Sequence, residues 1–284
     1  MEKVTIGIPV YNAEKFIRNT LISIFNQTYS NFELIITDDG STDDSLNIIK
    51  SFTDNRIRIY SDGENKGISY RLNQQVNLAK GKYFVRMDAD DIMFPDRLEK
   101  QLAFLENNPN CDVVGSSIIV INDDNDIIGF RPPSFNKNEY DTLQKITFHH
   151  PSVMGKKSWF LENNYKVEYS GVEDFELWHR TIGTSNFGMI KEPLLFYRDP
   201  LVFKLSTYMH RQKQMREVFK KSNYLKNKPI LLKKMIIGSY LKGYLSIILH
   251  LLKLDEKMIS RRNQPCDKIN DYNTILKKNI TDGR

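Results

Sequence analysis

Asp88, Asp90 and Asp91 place three acids within four positions, at the end of the apolar run Tyr83-Phe84-Val85-Arg86-Met87. Carboxylates this close raise one another's pKa, so a cluster that stays ionised needs a compensating charge, most simply a divalent cation. Hard oxygen donors suit Mg²⁺ or Mn²⁺, which take one or two carboxylates from a protein and complete their shell with water and substrate phosphate. A phosphorylated ligand is therefore expected beside Asp88 and Asp90. The competing reading is an acidic turn before a helix, with Asp91 or Asp96 near the N-cap and Pro95 in the first turn; for Asp91 alone, an acid near the helix N-terminus is the plainer role. A second acid pair, Glu173-Asp174, precedes a helical pattern carrying Phe175, Trp178 and Arg180. It suits either dipole compensation at a helix start or general-base work. The paired His149-His150 invites a metal-ligand reading, but neighbours on a strand point to opposite faces. One structural histidine and one pocket histidine are expected instead.

These acids need elements to present them. Val4–Val10 reads as a strand, followed by a helix whose Phe16, Ile17, Thr20, Leu21, Ile24 and Phe25 share one face. Phe32–Thr37 is a second strand ending at Asp38-Asp39, with Ser41, Thr42 or Asp43 available to cap the next helix. A third strand, Ile57–Tyr60, leads through Asn65-Lys66-Gly67 to a helix holding Arg71, Leu72, Val76 and Leu78. The acid-tipped run 83–87 is the fourth strand. Strands alternating with helices predict an α/β fold with a mainly parallel sheet flanked by helices. Ligands bind beyond the carboxyl ends of such strands, where Pro9-Val10-Tyr11, Asp38-Asp39 and the 88–91 acids all fall. Further on, 113–121 and 127–130 read as strands around a polar turn, 131–142 as a loop, and 193–198 as a last strand at the sheet's edge.

The chain has 284 residues, of which 40% are hydrophobic and 11% aromatic, enough to bury a substantial core. A catalytic domain over 1–200 with a basic helical extension over 201–284 is predicted. Cys111 and Cys266 supply neither a disulfide framework nor metal-ligand spacing. No secretory signal is visible at the start, so a cytoplasmic location is expected. Residues 1–200 carry 22 Lys+Arg against 29 Asp+Glu, a net −7, whereas 201–284 carry 19 against 6, a net +13. Such asymmetry points to an anionic partner for the tail, either membrane lipid or nucleic acid. Residues 203–227 read as a basic helix. After Pro229 a second helix sets Leu231, Met235, Leu241, Leu245, Ile248 and Leu252 on one face, with Ser239, Lys242, Ser246, His250, Lys253 and Lys257 on another. Lysines at 233, 234 and 242 interrupt it, so it is expected to lie on something rather than span a bilayer. Two placements are open: packing on the catalytic domain, or docking of 229–258 on anionic lipid as a peripheral protein of the inner membrane face. Beyond Arg262 a polar tail without ordered structure is expected.

The runs Ile8-Pro9-Val10-Tyr11-Asn12-Ala13-Glu14, Asn26-Gln27-Thr28-Tyr29, Asp38-Asp39-Gly40-Ser41-Thr42-Asp43, Asn65-Lys66-Gly67 and Met87-Asp88-Ala89-Asp90-Asp91 together resemble glycosyltransferase family 2. Members of that family are inverting enzymes with a GT-A type nucleotide-sugar-binding domain. The resemblance implies that Pro9 and Tyr11 line a base pocket and that Asp39 accepts a hydrogen bond from a uracil-like imide N–H. It implies Arg71 near the nucleotide, Asp88 near ribose or metal, and Asp90 on a Mn²⁺ or Mg²⁺ that bridges the diphosphate. Asp174 becomes the catalytic base, with Glu173 as the alternative, and His150 lines the acceptor side. The implied activity moves a sugar, with inversion, from a nucleoside diphosphate donor, UDP favoured, to a glycan or lipid-linked saccharide acceptor in surface polysaccharide or glycoconjugate synthesis. A sugar-nucleotide nucleotidyltransferase is the same-fold rival. It usually shows a Gly-rich, Lys/Arg-containing loop after the first strand, where Tyr11-Asn12-Ala13-Glu14 stands here. A non-catalytic module with a nucleic-acid-binding basic tail is the rival from another class, and no nucleic-acid partner is expected.

Overall fold

The computed structural model describes residues 3–132, 148–199, 201–255 and 262–281. In chain order the strands are β1 (Val4–Val10), β2 (Phe32–Asp38), β3 (Ile57–Ser61), β4 (Tyr83–Arg86), β5 (Ile92–Met93), β6 (Val113–Ile121), β7 (Ile127–Arg131), β8 (Met154–Lys156) and β9 (Phe187–Arg198). The helices are α1 (Ile17–Phe25), α2 (Ser45–Lys50), α3 (Ile68–Leu78), α4 (Arg97–Asn107), α5 (Lys157–Glu162), α6 (Glu173–Thr181), α7 (Leu205–Lys221), α8 (Asn223–Lys226), α9 (Pro229–Leu251) and α10 (Ile269–Ile280). Of the loop predicted over 131–142, Arg131 ends β7, and residues 133–142 lie outside the described set.

All nine strands join one sheet, ordered β3-β2-β1-β4-β8-β6-β9-β5, with β7 on the flank of β6. The first four are parallel, as the strand–helix alternation predicts. The second half is mixed, because β8 runs antiparallel to both β4 and β6 while β6 and β9 are parallel. The strand predicted at 193–198 is the end of the longer β9. It is not the sheet's edge, since β5 pairs beyond it. The run 88–93 leaves β4 and crosses to that far side as β5. Its polar start, and not an apolar pattern, is the local feature, so no periodicity signals the crossing.

Apolar residues cover both faces of the sheet. Ile6, Ile8, Leu21, Leu34, Val85 and Leu102 belong to one core cluster, and Ile35, Leu72, Phe84, Phe148, Phe160 and Trp178 to another. β1 is almost wholly buried, which explains its unbroken apolar character. At Gly7 in β1, a β-carbon would sit 2.5 Å from both the Phe84 ring and Oε1 of Gln75, so glycine here lets α3 and β4 close on the central strand.

The C-terminal residues do not form a separate body. Val218, Phe219, Leu225 and Met235 share a cluster with Tyr169, Val172 and Phe175, which ties α7, α8 and α9 to α6. The tail expected to lack order beyond Arg262 instead contains α10. Its Leu276 is buried among Ile92, Phe94, Ile119, Ile121 and Phe196. The carboxamide of Asn26 at the end of α1 donates to the Asn279 carbonyl at 3.0 Å, and Asn279 donates its own carboxamide to the Met93 carbonyl. The apolar residues of 269–280 are too few to announce a core element by themselves, and only the partner surface of β5 and α1 makes their burial worthwhile. Leu276→Ala is expected to lower stability by about 2–5 kcal/mol. Urea unfolding of wild type and variant measures this, and equal midpoints would show that α10 contributes nothing to the core.

Candidate active site

The loops after β1, β2 and β4 emerge at one edge of the sheet, because the three strands are adjacent and parallel. Pro9 is half-buried within β1, and Tyr11 just past it is 52% exposed, leaving its ring open to a ligand. The β1 loop is clasped to the β2 loop. Asn12 Oδ1 accepts from the Thr42 N–H at 2.8 Å, Ser45 Oγ accepts from the Ala13 N–H at 2.7 Å, and Asp43 Oδ2 accepts from the Glu14 N–H at 3.0 Å. Asn12 adopts a left-handed backbone (φ +50°), a conformation asparagine tolerates better than most residues.

Asp39 is buried at the tip of β2. Its Oδ1 accepts from the Lys66 N–H at 2.7 Å and from Arg71 Nε at 2.8 Å, and its Oδ2 accepts from the Gly67 N–H at 3.0 Å. The positive φ of Gly67 (+83°) turns that amide toward the carboxylate and explains the glycine in Asn65-Lys66-Gly67. Oδ2 keeps a lone pair for one further donor. Arg71, expected near the nucleotide, is turned to Asp39. Its side chain is buried, and all five of its N–H groups are engaged by Asp39, both oxygens of Asp62, Gln74 Oε1 and the Glu64 carbonyl. With no donor left to give, it positions Asp39. Asp62, which lacked any sequence signal, is its second anchor, 2.6 Å from Nη2.

At the tip of β4, oxygens of Asp88, Asp90 and Asp91 lie within 4.8 Å of one another. Asp91 is not a helix N-terminal acid, since α4 starts six residues later at Arg97. It is fully buried, with Oδ1 accepting from the Arg198 N–H at 2.8 Å and Oδ2 meeting no donor. Burial, and then the Asp90 and Asp88 charges, push the Asp91 carboxyl up. Burial followed by the Asp88 charge raises Asp90 as well. Three hard oxygen donors and one orphaned buried oxygen fit a divalent cation.

Arginines surround the cluster. Arg86, the last residue of β4, donates Nη1 to Asp88 Oδ2 at 2.6 Å, and its buried Nε has no partner. Arg198 donates Nε to the Asp90 carbonyl at 2.9 Å and Nη2 to Asn125 Oδ1 at 2.7 Å. Arg97, also fully buried, donates to the carbonyls of Arg86 (3.0 Å) and Pro151 (2.7 Å). The acid loop is held from α1 too. The Thr20 hydroxyl lies 2.9 and 2.8 Å from the carbonyls of Ala89 and Asp91, and Gln27 bridges the Phe94 carbonyl and the Leu98 N–H at 2.7 and 3.1 Å. Thr20 thus braces residues 89–91, and the Asn26-Gln27-Thr28-Tyr29 run braces residues 94–98 through Gln27 and the Thr28 N–H.

The second acid pair opens α6. Glu173 is buried and accepts from the Gly171 N–H at 2.7 Å through Oε2. Asp174 keeps partial access to solvent, and Oδ1 accepts from the Phe175 N–H at 2.7 Å. Desolvation by the surrounding protein and then the Glu173 charge raise its pKa to about 6, against the opposing pull of Arg86 and Arg211. Tyr165, unmarked in the sequence, is held strongly neutral by burial and sits within electrostatic reach of Arg86, Asp174, Glu173 and Asp88. The Arg86 charge opposes the rise of both Asp91 and Asp174.

His149 and His150 do part as expected, but through a 3-10 turn at His150–Ser152 and not along a strand. His149 Nε2 lies 3.3 Å from the Pro132 carbonyl, and His150 Nε2 lies 2.9 Å from the Tyr165 hydroxyl. His150 is buried and kept uncharged by desolvation. Its ring meets the Tyr165 ring. Of the unforeseen residues, Arg86 had the clearest signal: a charge inside an apolar strand demands a buried partner. Arg198 had none, because its partners lie about a hundred residues away in sequence.

Residues 5–163 match the family profile described as Glycosyl transferase family 2. The chain belongs to that family. An uncharacterized glycosyltransferase of Haemophilus influenzae is 32% identical over 234 residues, covering 78% of this chain and 72% of the relative. The O-antigen biosynthesis glycosyltransferase WbnJ of Escherichia coli is 33% identical over 207 residues, covering 70% and 80%. Staphylococcus aureus TarS 1–349 in complex with UDP superposes with a TM-score of 0.61 at 16% identity, over 84% of this chain and 70% of TarS. The mannosyltransferase PcManGT of Pyrobaculum calidifontis, in complex with GDP-Man and Mn²⁺, gives 0.59 at 16% identity, over 98% and 85%. The family 2 glycosyltransferase therefore has the GT-A type fold, a mixed sheet flanked by helices. Replacing Arg71 with Met leaves Asp39 buried without its cation, and the Arg71→Met protein is expected to lose about 3–5 kcal/mol of stability. Denaturant titration measures it, and a loss below about 1 kcal/mol would show that Lys66 and Gly67 suffice to hold Asp39.

Proposed function

We propose that this glycosyltransferase moves a sugar from a nucleoside diphosphate donor, UDP-linked by preference, to a hydroxyl of a glycan or lipid-linked saccharide, with inversion. The observation that carries the reading is the three-carboxylate cluster at the tip of β4, paired through Asp88 with Arg86, together with Asp174, a raised and partly exposed acid at the start of α6. A reaction that needs phosphate charge held at one point and a proton removed at another calls for this pairing. The open ring of Tyr11 and the remaining lone pair on Asp39 Oδ2 suit a base that presents an imide N–H. TarS, whose structure holds UDP, shares the fold, and the relative WbnJ is named for O-antigen biosynthesis. The first supports a UDP donor, and the second a polysaccharide or glycoconjugate product.

Asp90 and Asp88, with Asp91 beneath them, would hold Mn²⁺ or Mg²⁺, as a Mn²⁺-bound structural relative also suggests. Such an ion supplies Lewis-acid neutralisation of the charge that gathers on the departing nucleoside diphosphate. The chain's own groups do the rest. Asp174 takes the proton from the acceptor hydroxyl as its oxygen bonds to the anomeric carbon and the bond to the diphosphate oxygen breaks. Tyr165 and Arg86 set the field in which that carboxylate works, and Arg71 keeps Asp39 in place against the base. Glu173, with its Oε2 already on the Gly171 amide, backs Asp174 and raises its basicity.

Asp174 must be ionised to act, and its carboxyl holds a proton up to about pH 6. The kcat/KM for transfer is therefore expected to rise with pH through about 6 and then level, in assays of UDP release. Asp174→Asn should cut transfer by about 10²–10⁴-fold while leaving UDP binding unchanged. Flat pH dependence across pH 5–7, or near-full activity of Asp174→Asn, would assign the base elsewhere. In thermal-shift measurements Asp90→Asn should abolish the Mn²⁺-dependent part of stabilisation by UDP. Equal Mn²⁺-dependent shifts in the two proteins would remove Asp90 from the metal site.

A further inference from the structure

The helix α9 is packed the wrong way round for a globular protein. Its buried face consists of Met235 and the small residues Ser239, Gly243 and Ser246, while the side turned outward is large and apolar. Ile230 is 84% exposed, Leu241 62%, Tyr244 64% and Leu251 75%, with Ile237, Leu245, Ile248 and Leu252 also exposed. Spacings of three and four residues from Ile237 through Leu252 make this one continuous stripe. The serines grouped by sequence with the lysines are the inward ones: the Ser239 hydroxyl lies 2.9 Å from Gln212 Oε1 on α7 and accepts from Arg216 Nη1 at 3.1 Å, and Ser246 Oγ donates to the Gly243 carbonyl at 2.7 Å. Small residues allow α7 to approach closely, and the bulky ones have nowhere to go but out.

Charge indicates what covers the stripe. α9 holds no Asp or Glu, and Lys233 and Lys234 stand exposed beside its N-terminal part, with Lys242 exposed further along. Residues 201–255 together carry twelve Lys and Arg against two acids, Glu217 and Asp255. A second copy of the chain would bring the same positive field against itself, whereas an anionic lipid surface complements both the stripe and the lysines. Tyr240 and Tyr244, exposed on this side, have the amphipathic rings favoured at a headgroup boundary. Among the described residues no helix is long and apolar enough to cross a membrane, so the helix would lie in the surface plane.

We propose that the outward face of α9, from Ile237 to Leu252 with Lys233 and Lys234, docks on an anionic lipid bilayer. Of the predicted docking segment 229–258, residues 256–258 lie outside the described set. The consequence for catalysis rests on the transfer reading above. α7 packs on both helices, through Gln212 on Ser239 of α9 and with its Phe219 ring 5.7 Å from the Phe175 ring of α6, next in sequence to Asp174, so docking would favour an acceptor carried on lipid. Lipid binding is measured without any turnover, so failure of docking and failure of the transfer reading are separately visible.

Flotation of the full chain with vesicles of equimolar phosphatidylglycerol and phosphatidylcholine tests this. Wild type should float with these vesicles, and much less with phosphatidylcholine alone or at high salt. Leu241→Glu/Leu245→Glu, which changes only exposed positions and should keep the wild-type melting temperature, is expected to abolish flotation. Lys233→Gln/Lys234→Gln should weaken the partition by about fivefold for each lysine removed. Absence of wild-type flotation, or equal flotation of Leu241→Glu/Leu245→Glu, would overturn the proposal. So would a concentration-dependent dimer without lipid that the same double variant dissolves, since the face would then belong to a second copy.

Discussion

Three carboxylates whose oxygens fall within 4.8 Å of one another are the constraint around which the catalytic half of this protein is arranged. Their mutual repulsion favours dispersal, and a short loop at a strand end would relieve it by unwinding. The fold prevents this by enclosing the loop. Thr20 and Gln27 on the α1 side hold the carbonyls of 89, 91 and 94, while Arg198 binds both the Asp90 carbonyl and, through its backbone N–H, Asp91. Arg97 and Arg86 bring positive charge beneath and beside the acids. The surrounding structure thus supplies enough compensation for the chain to fold and leaves an oxygen of Asp91 unmatched, a local deficit that a bound cation would remove.

The same logic of engaged and spare donors sorts the rest of the site. Arg71 has every N–H committed within the protein, whereas Arg86, paired with Asp88, keeps one buried N–H without a partner. Glu173 and Asp174 divide likewise. Both accept a backbone N–H, but Glu173 is shielded, whereas Asp174 is raised and partly exposed. Adjacent residues of like type differ in this way because the first turn of α6 points them into different surroundings.

The C-terminal helices answer a different requirement. α10 completes the core beneath β5, while α7 and α9 build outward from α6 and end in an apolar surface that no part of the described chain covers. A single chain therefore carries a buried appendage and an outward-facing one, distinguished by which face of each helix holds the small residues.

Local sequence was sufficient for the parallel half of the sheet, since β1 to β4 and their helices are set by periodicity, loop composition and the handedness of strand–helix–strand connections. It also sufficed to bring Pro9, Tyr11, Asp39, Asp88 and Asp90 to one edge, because adjacent parallel strands end together. Long-range packing decided the remainder. The antiparallel insertion of β8, the inward turn of Ser239 and Ser246, the ordering of 269–280 and the full engagement of Arg71 all depend on partners remote in the chain. Hydrophobic pattern records that a helix has two faces. Which face is buried is settled only by the shape and donors of the surface it meets.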